Sequence, residues 1–216
     1  MSVMNLVRSA ISAAHFQIEQ TDYSKAMLDG SMNSKDYSRG LGQLWHVHGA
    51  LEQSVQVAGG IAAFFTPEMI RTATIQRDLS FFGFDITSFG VVAETNSIVV
   101  QIQEWATAKP FALLGCIYIL EGSRMGSLVI AKPLGKSLGL EPGSTAGLEY
   151  HTEGAAGTPM RLRSFKESVD HAGLGADAES DLVQGAVKFM DMLNNLYAIL
   201  PVNKELATQT PQLKTA

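Results

Sequence analysis

Tyr118-Ile119-Leu120-Glu121-Gly122-Ser123-Arg124-Met125-Gly126 closes an apolar run that opens at Pro110, and the two glycines four residues apart decide how the run is read. Glycine inside a helix is less favourable than alanine by about 1 kcal/mol. Residues i and i+4 share one helix face, so the pair strips side chains from a single patch that a flat or bulky partner can approach to backbone distance. Leu128, Val129 and Ile130 resume the apolar pattern, which predicts one bent helix through the whole segment. A membrane span is set aside, because Glu121 and Arg124 sit at its centre and the uninterrupted apolar run falls short of the roughly 20 residues a span needs.

Around this segment the composition describes a single helical domain. The chain has 216 residues, 46% hydrophobic and 17% charged, with a net charge of -5. That is enough chain for one substantial core and too little for two complete domains, and the acidic balance argues against extended nucleic-acid contact. The domain is expected over residues 1–201, with a polar, mobile tail at 202–216. The absence of a basic leader followed by an apolar stretch predicts a cytoplasmic protein with no membrane partner. Cys116, the single cysteine, lies in the apolar run and reads as a buried, inert thiol.

Helical signals run from end to end. Ser2 caps an amphipathic first helix with apolar positions Val3, Leu6, Val7, Ala10, Ile11 and Ala14 at spacings of three and four. Asn33 and Asp36 open a long second helix that ends near Gly59-Gly60. Thr66-Pro67-Glu68 starts a third, closed by Phe81-Phe82-Gly83. Another helix begins around Thr95, while Val91-Val92 and Ile98-Val99-Val100 are the only strand-like fragments. Pro133 must kink or stop the glycine-bearing helix, unless the stop comes at Leu138-Gly139. Glu141 to Pro159 reads as a surface loop, followed by a short basic helix with Arg161, Arg163 and Lys166 and a final helix from Asp177 or Ser180 to Pro201. The expected class is all-α, a single-domain multi-helix fold of seven or eight helices.

The chemistry-bearing set begins at His15, with Glu19 one turn further along the same face. An imidazole that binds a metal through one nitrogen needs a partner for its other N–H, and a carboxylate there fixes the ring and raises its basicity. Arg8 lies two turns earlier on about the same face, where a guanidinium can pair with a ligand carboxylate. Alone, such a His-Glu pair is more often a surface hydrogen bond than a metal site. His46 and His48 face different directions and read as packed or surface residues, and His151 and His171 have no partner at metal spacing.

Two stretches together change that balance. Val7-Arg8-Ser9-Ala10-Ile11-Ser12-Ala13-Ala14-His15, leading to Leu44-Trp45-His46-Val47-His48-Gly49-Ala50-Leu51-Glu52, resembles the proximal helix and the following helix of the haem oxygenase family, and Tyr118 to Gly126 resembles the distal helix of its bacterial branch. The resemblance extends over roughly residues 5 to 200. It implies a haem oxygenase-like fold in which His15 is the proximal iron ligand, Glu19 its hydrogen-bond partner, and Gly122 and Gly126 the bare backbone lying over the macrocycle. Ser123 falls where animal members carry an aspartate that organises distal water. Arg8, with Lys166 in preference to Arg163, is implied to anchor the propionates.

On that resemblance haem is both substrate and cofactor, oxygen is the co-substrate, and the products are biliverdin, carbon monoxide and ferrous iron. Electrons come from an external donor, a ferredoxin or reductase, since the chain has no flavin or nicotinamide fingerprint. Two residues depart from the family pattern. Ser127 stands where glycine or alanine is usual, placing its hydroxyl either in the distal water chain or against the haem edge, and Pro133 falls where the distal helix normally continues. The competing readings are a haem storage, carrier or sensor protein of the same fold, and a helical interaction domain whose glycines only permit close packing.

Overall fold

Ser2 accepts a hydrogen bond from the Asn5 amide and starts α1 (Val3–Glu19), whose buried face is Val3, Met4, Val7 and Ile11. The computed structural model describes residues 2–203, so most of the expected tail lies outside the described residues. Thr21 caps a helix that the sequence reading omits, α2 (Asp22–Asp29), closed by Gly30 at φ +82°. Asn33 caps α3 (Ser34–Val57) through the Asp36 amide at 2.9 Å, as expected.

The third expected helix is broken. Pro67–Met69 forms only a 3-10 turn, and α4 (Thr72–Phe81) starts afresh behind Arg71, because the Arg71 and Thr72 amides are taken by the Glu52 carboxylate of α3 at 2.7 and 3.2 Å. Residues 98–100 are helical within α5 (Ala93–Ala108), so β-branched runs here are core positions on a helix, not strands. The glycine-bearing segment is two helices, α6 (Ala112–Ser123) and α7 (Ser127–Ser137), meeting at 56°. Pro133 lies inside α7, which ends at Leu138-Gly139 with Gly139 at φ +69°.

The stretch read as a loop from Glu141 to Pro159 carries a four-residue helix, α8 (Glu149–Thr152), with Tyr150 and His151 buried. Its start is held from outside: Asp78 of α4 accepts from the Glu149 and Tyr150 amides at 2.8 and 2.7 Å. Then follow α9 (Thr158–His171) and α10 (Ala176–Ile199). All ten α-helices among the described residues share one core, and no strand occurs among them.

Both α6 and α1 pack on α10, and α3 packs on α4 and α5. The seam between α6 and α10 is made by glycines. A Cβ on Gly115 would stand 2.5 Å from the Ala186 amide nitrogen, and one on Gly185 would stand 2.6 Å from the Ala112 Cβ. No single described helix is long and apolar enough to cross a membrane; α6 and α7 together have the composition, but α6 is buried in the core.

Candidate functional site

The side of α1 that carries Arg8, Ile11, Ser12 and His15 faces α6 across a cavity of about 620 Å³. From α6 and the bend come Tyr118, Ile119, Leu120, Gly122, Ser123 and Met125; α10 supplies Met190, Leu193 and Tyr197, and Tyr150, Leu162 and Lys166 close the remaining sides. This volume lies within the roughly 300–1,000 Å³ of small-molecule sites, and the mix of apolar walls with few polar groups is typical of them. A groove of about 760 Å³ beside α7 is larger, but its charged lining is Lys132, Lys136 and Glu141, without a histidine.

Gly122 settles what its bare backbone is for. A Cβ built there meets nothing within 4 Å, so the missing side chain leaves open cavity, unlike Gly115, whose missing side chain admits another helix. Gly126 is not among the residues that line the cavity. It sits at the start of α7, beyond a break of three turns in which the Met125, Gly126 and Ser127 amides donate to the carbonyls of Gly122, Ser123 and Arg124. The i, i+4 argument holds only within a continuous helix, and the break removes that continuity. Ser123 lines the cavity with its hydroxyl proton spent on the Leu120 carbonyl at 2.8 Å, leaving oxygen lone pairs to accept. Ser127 is buried and is not among the residues that line the cavity.

On the opposite wall His15 is 56% exposed, and its Nδ1 lies 3.4 Å from Glu19 Oε1. Glu19 thus stands on the Nδ1 edge of the ring, with the Nε2 edge away from it. Glu19 itself is outside the cavity lining. Arg8 and Lys166 are brought to the same cavity from helices far apart in sequence, whereas Arg163 opens only on an adjoining polar cleft that shares Met125, Leu162 and Lys166. Burial raises the Tyr118 hydroxyl pKa, partly opposed by the Arg8 charge.

Residues that the sequence reading passed over complete the walls. Tyr150 Oη pairs with His48 Nε2 at 3.1 Å, both buried. Burial, reinforced by the charges of Arg71 and Arg124, pushes the His48 pKa down to about 3, so this imidazole is neutral. Behind α6, on the side away from the cavity, the Glu121 carboxylate is 3% exposed and takes Arg124 at 3.1 Å and Arg161 at 2.8 Å. Arg124 is itself buried in this pair. Cys116 is buried, and desolvation pushes its thiol pKa far upward, which leaves it unreactive.

Comparison with known proteins gives one family. A family model described as heme oxygenase matches residues 1–196. Among solved structures, haem oxygenase-1 from the cyanobacterium Synechocystis sp. PCC6803 in complex with haem superposes with a TM-score of 0.82 at 18% identity, covering 96% of each chain. The haem oxygenase of Leptospira interrogans gives 0.81 at 16% identity over 92% of this chain and 99% of that one. Haem oxygenase-2 from Synechocystis sp. PCC 6803, in complex with haem and NO, gives 0.81 at 17% over 91% and 84%. Comparison with curated protein sequences returns no match.

Proposed function

The chain belongs to the haem oxygenase family, and from that premise we propose that it cleaves haem oxidatively to biliverdin, carbon monoxide and ferrous iron in the cytoplasm, with His15 as the proximal iron ligand. The observation that carries this reading is the pairing across one cavity of the His15 imidazole on α1 with the unobstructed backbone of Gly122 on α6. A flat macrocycle needs both: a ligand below, and nothing above.

When bound, haem supplies the iron at which dioxygen is reduced and the ring that is oxidised. The chain's part is placement. Glu19, 3.4 Å from Nδ1, would orient the His15 ring. Arg8 and Lys166, both in the cavity lining, would pair with the ring carboxylates and so would set the orientation in which the ring is held. Ser123 and Tyr150 add polar groups to the cavity lining, and the Tyr150 hydroxyl is held in place by its bond to neutral His48. Ile11, Leu120, Met190 and Leu193 exclude bulk water from the rest of the cavity. Electrons are supplied by an external ferredoxin or reductase.

Titration with hemin followed by an electron donor in air tests the reading. One-to-one binding, then loss of the Soret band with growth of a bilin absorption, is the expected result. His15→Ala should weaken hemin affinity at least roughly tenfold and shift the Soret band, with added imidazole restoring its position. Hemin bound unchanged under reductant would instead make the protein a carrier or sensor of the same fold.

A further inference from the structure

The bend between α6 and α7 is not dictated by its own backbone. Across Arg124 to Gly126 the chain makes only i→i+3 bonds of 3.0–3.3 Å, and the ladder of α7 restarts when Ile130 donates to the Gly126 carbonyl at 3.1 Å. Such a turn tolerates a range of angles, so whatever grips its flanks sets the 56°. On the cavity side the flank presents Gly122 and Ser123, and on the far side Glu121 and Arg124.

We propose that Glu121, held between Arg124 and Arg161, is a positioning residue that fixes this bend and thereby fixes Gly122 and Ser123 against the cavity. Both carboxylate oxygens are engaged, Oε2 by Arg124 and Oε1 by Arg161. The remaining donors spread outward. Arg124 reaches the Glu68 carbonyl at 3.2 Å and the Glu153 carbonyl at 2.6 Å, and Arg161 reaches the Gly154 carbonyl at 3.0 Å and Thr158 Oγ1 at 2.8 Å. The break is thus tied to the turn before α4, to the end of α8 and to the start of α9. Gly157 makes room for the Arg161 guanidinium: a Cβ there would lie 2.8 Å from Nη1.

Energetics alone gives little reason for this ion set, because buried ion pairs are often replaced by well-packed apolar residues at no loss of stability. Geometry gives one. The helix that carries Arg161 also carries Leu162 and Lys166, which line the cavity. One carboxylate therefore joins the wall with the bare backbone to the wall with the cation, and sets how far apart they stand. If the cavity is the haem site inferred above, that separation governs which ring carbon lies under the Gly122 backbone.

Arg161→Met tests this in two readouts. In the ligand-free protein, hydrogen exchange at the Met125, Gly126 and Ser127 amides should speed up at least roughly tenfold while α3 and α10 stay protected. In the hemin-loaded protein, affinity should hold within about threefold, since no atom of the ion set lines the cavity, while the product changes from one biliverdin isomer to a mixture. Arg161→Lys, which keeps the charge, should restore most of both. Unchanged exchange with an unchanged isomer pattern overturns the proposal. If Arg161→Met does not fold, Glu121→Gln carries the test, with faster exchange at the same three amides expected and wild-type exchange overturning the proposal. A wild-type protein that ignores hemin would sink the haem reading, and the exchange data would still decide whether Glu121 holds the bend.

Discussion

Gly115 and Gly122 sit two turns apart on α6 and do opposite work. Gly115 admits the α10 backbone, and Gly122 leaves a void. Gly122→Leu should fill the cavity, cut hemin affinity at least roughly tenfold and leave unfolding free energy within about 1 kcal/mol of wild type, because no protein atom is displaced. Gly115→Ala should do the reverse. Its methyl would meet the Ala186 backbone at 2.5 Å, so urea denaturation should show a loss of about 1–3 kcal/mol with the cavity chemistry intact. The sequence marked Gly122 because it interrupts an apolar run beside a charged pair. It did not mark Gly115 and Gly185, which are 70 positions apart and become a pair only when α6 meets α10. His15 and Glu19 were legible as a local i, i+4 contact, whereas Tyr150 and His48 were not, since their bond joins residues 102 apart.

Among the elements, those with local signals were readable. Ser2 and Asn33 cap α1 and α3 through their own side chains, three residues from the amides they serve. The helix α8 has no such cap: its first two amides are satisfied by Asp78 on α4, and the carbonyls of the same two residues accept from Arg71 at 3.0 Å. Four residues cannot hold a helix in water by themselves, so a glycine- and threonine-rich stretch read as a loop. Asp78→Ala should release it. Leaving two buried amides unpaired is expected to cost about 2–4 kcal/mol in chemical denaturation, and hemin affinity should fall with it as Tyr150 leaves the cavity wall. The break between α6 and α7 was hidden for a related reason, since the contacts that hold it come from α9 and the turn at Pro67–Met69.

At the scale of the molecule, three buried titratable groups give the ligand-free fold its dependence on pH. Burial and Arg71, with Arg124 adding to it for His48, depress His48 to about 3 and His151 to about 4. The unfolded chain binds their protons below about pH 6.5 and the fold does not, so these terms are fully present above about pH 6.5 and fade as the pH falls. Asp78 has the opposite sign. Burial raises it to about 6, so the fold keeps a proton that the unfolded chain releases, and its contribution fades as pH rises from about 4 to 6. Two histidines outweigh one aspartate, and the net slope near pH 5 should be about 1.4 kcal/mol lost per unit of acidification, measurable as urea midpoints across that range. The all-α class was legible because the long helices other than α6 carry a 3.6-residue apolar pattern of their own; the cavity was not, because it is a property of how the helices close. His15 stands on α1, but the wall beside it comes from Met190, Leu193 and Tyr197 of α10, and Asn194 clasps the Ala14 carbonyl at 2.9 Å. During synthesis the ribosome makes the His15 imidazole early and the wall that shelters it some 175 residues later. A nascent chain therefore exposes His15 without its pocket, and the proposed capture of haem must wait until translation has passed α10.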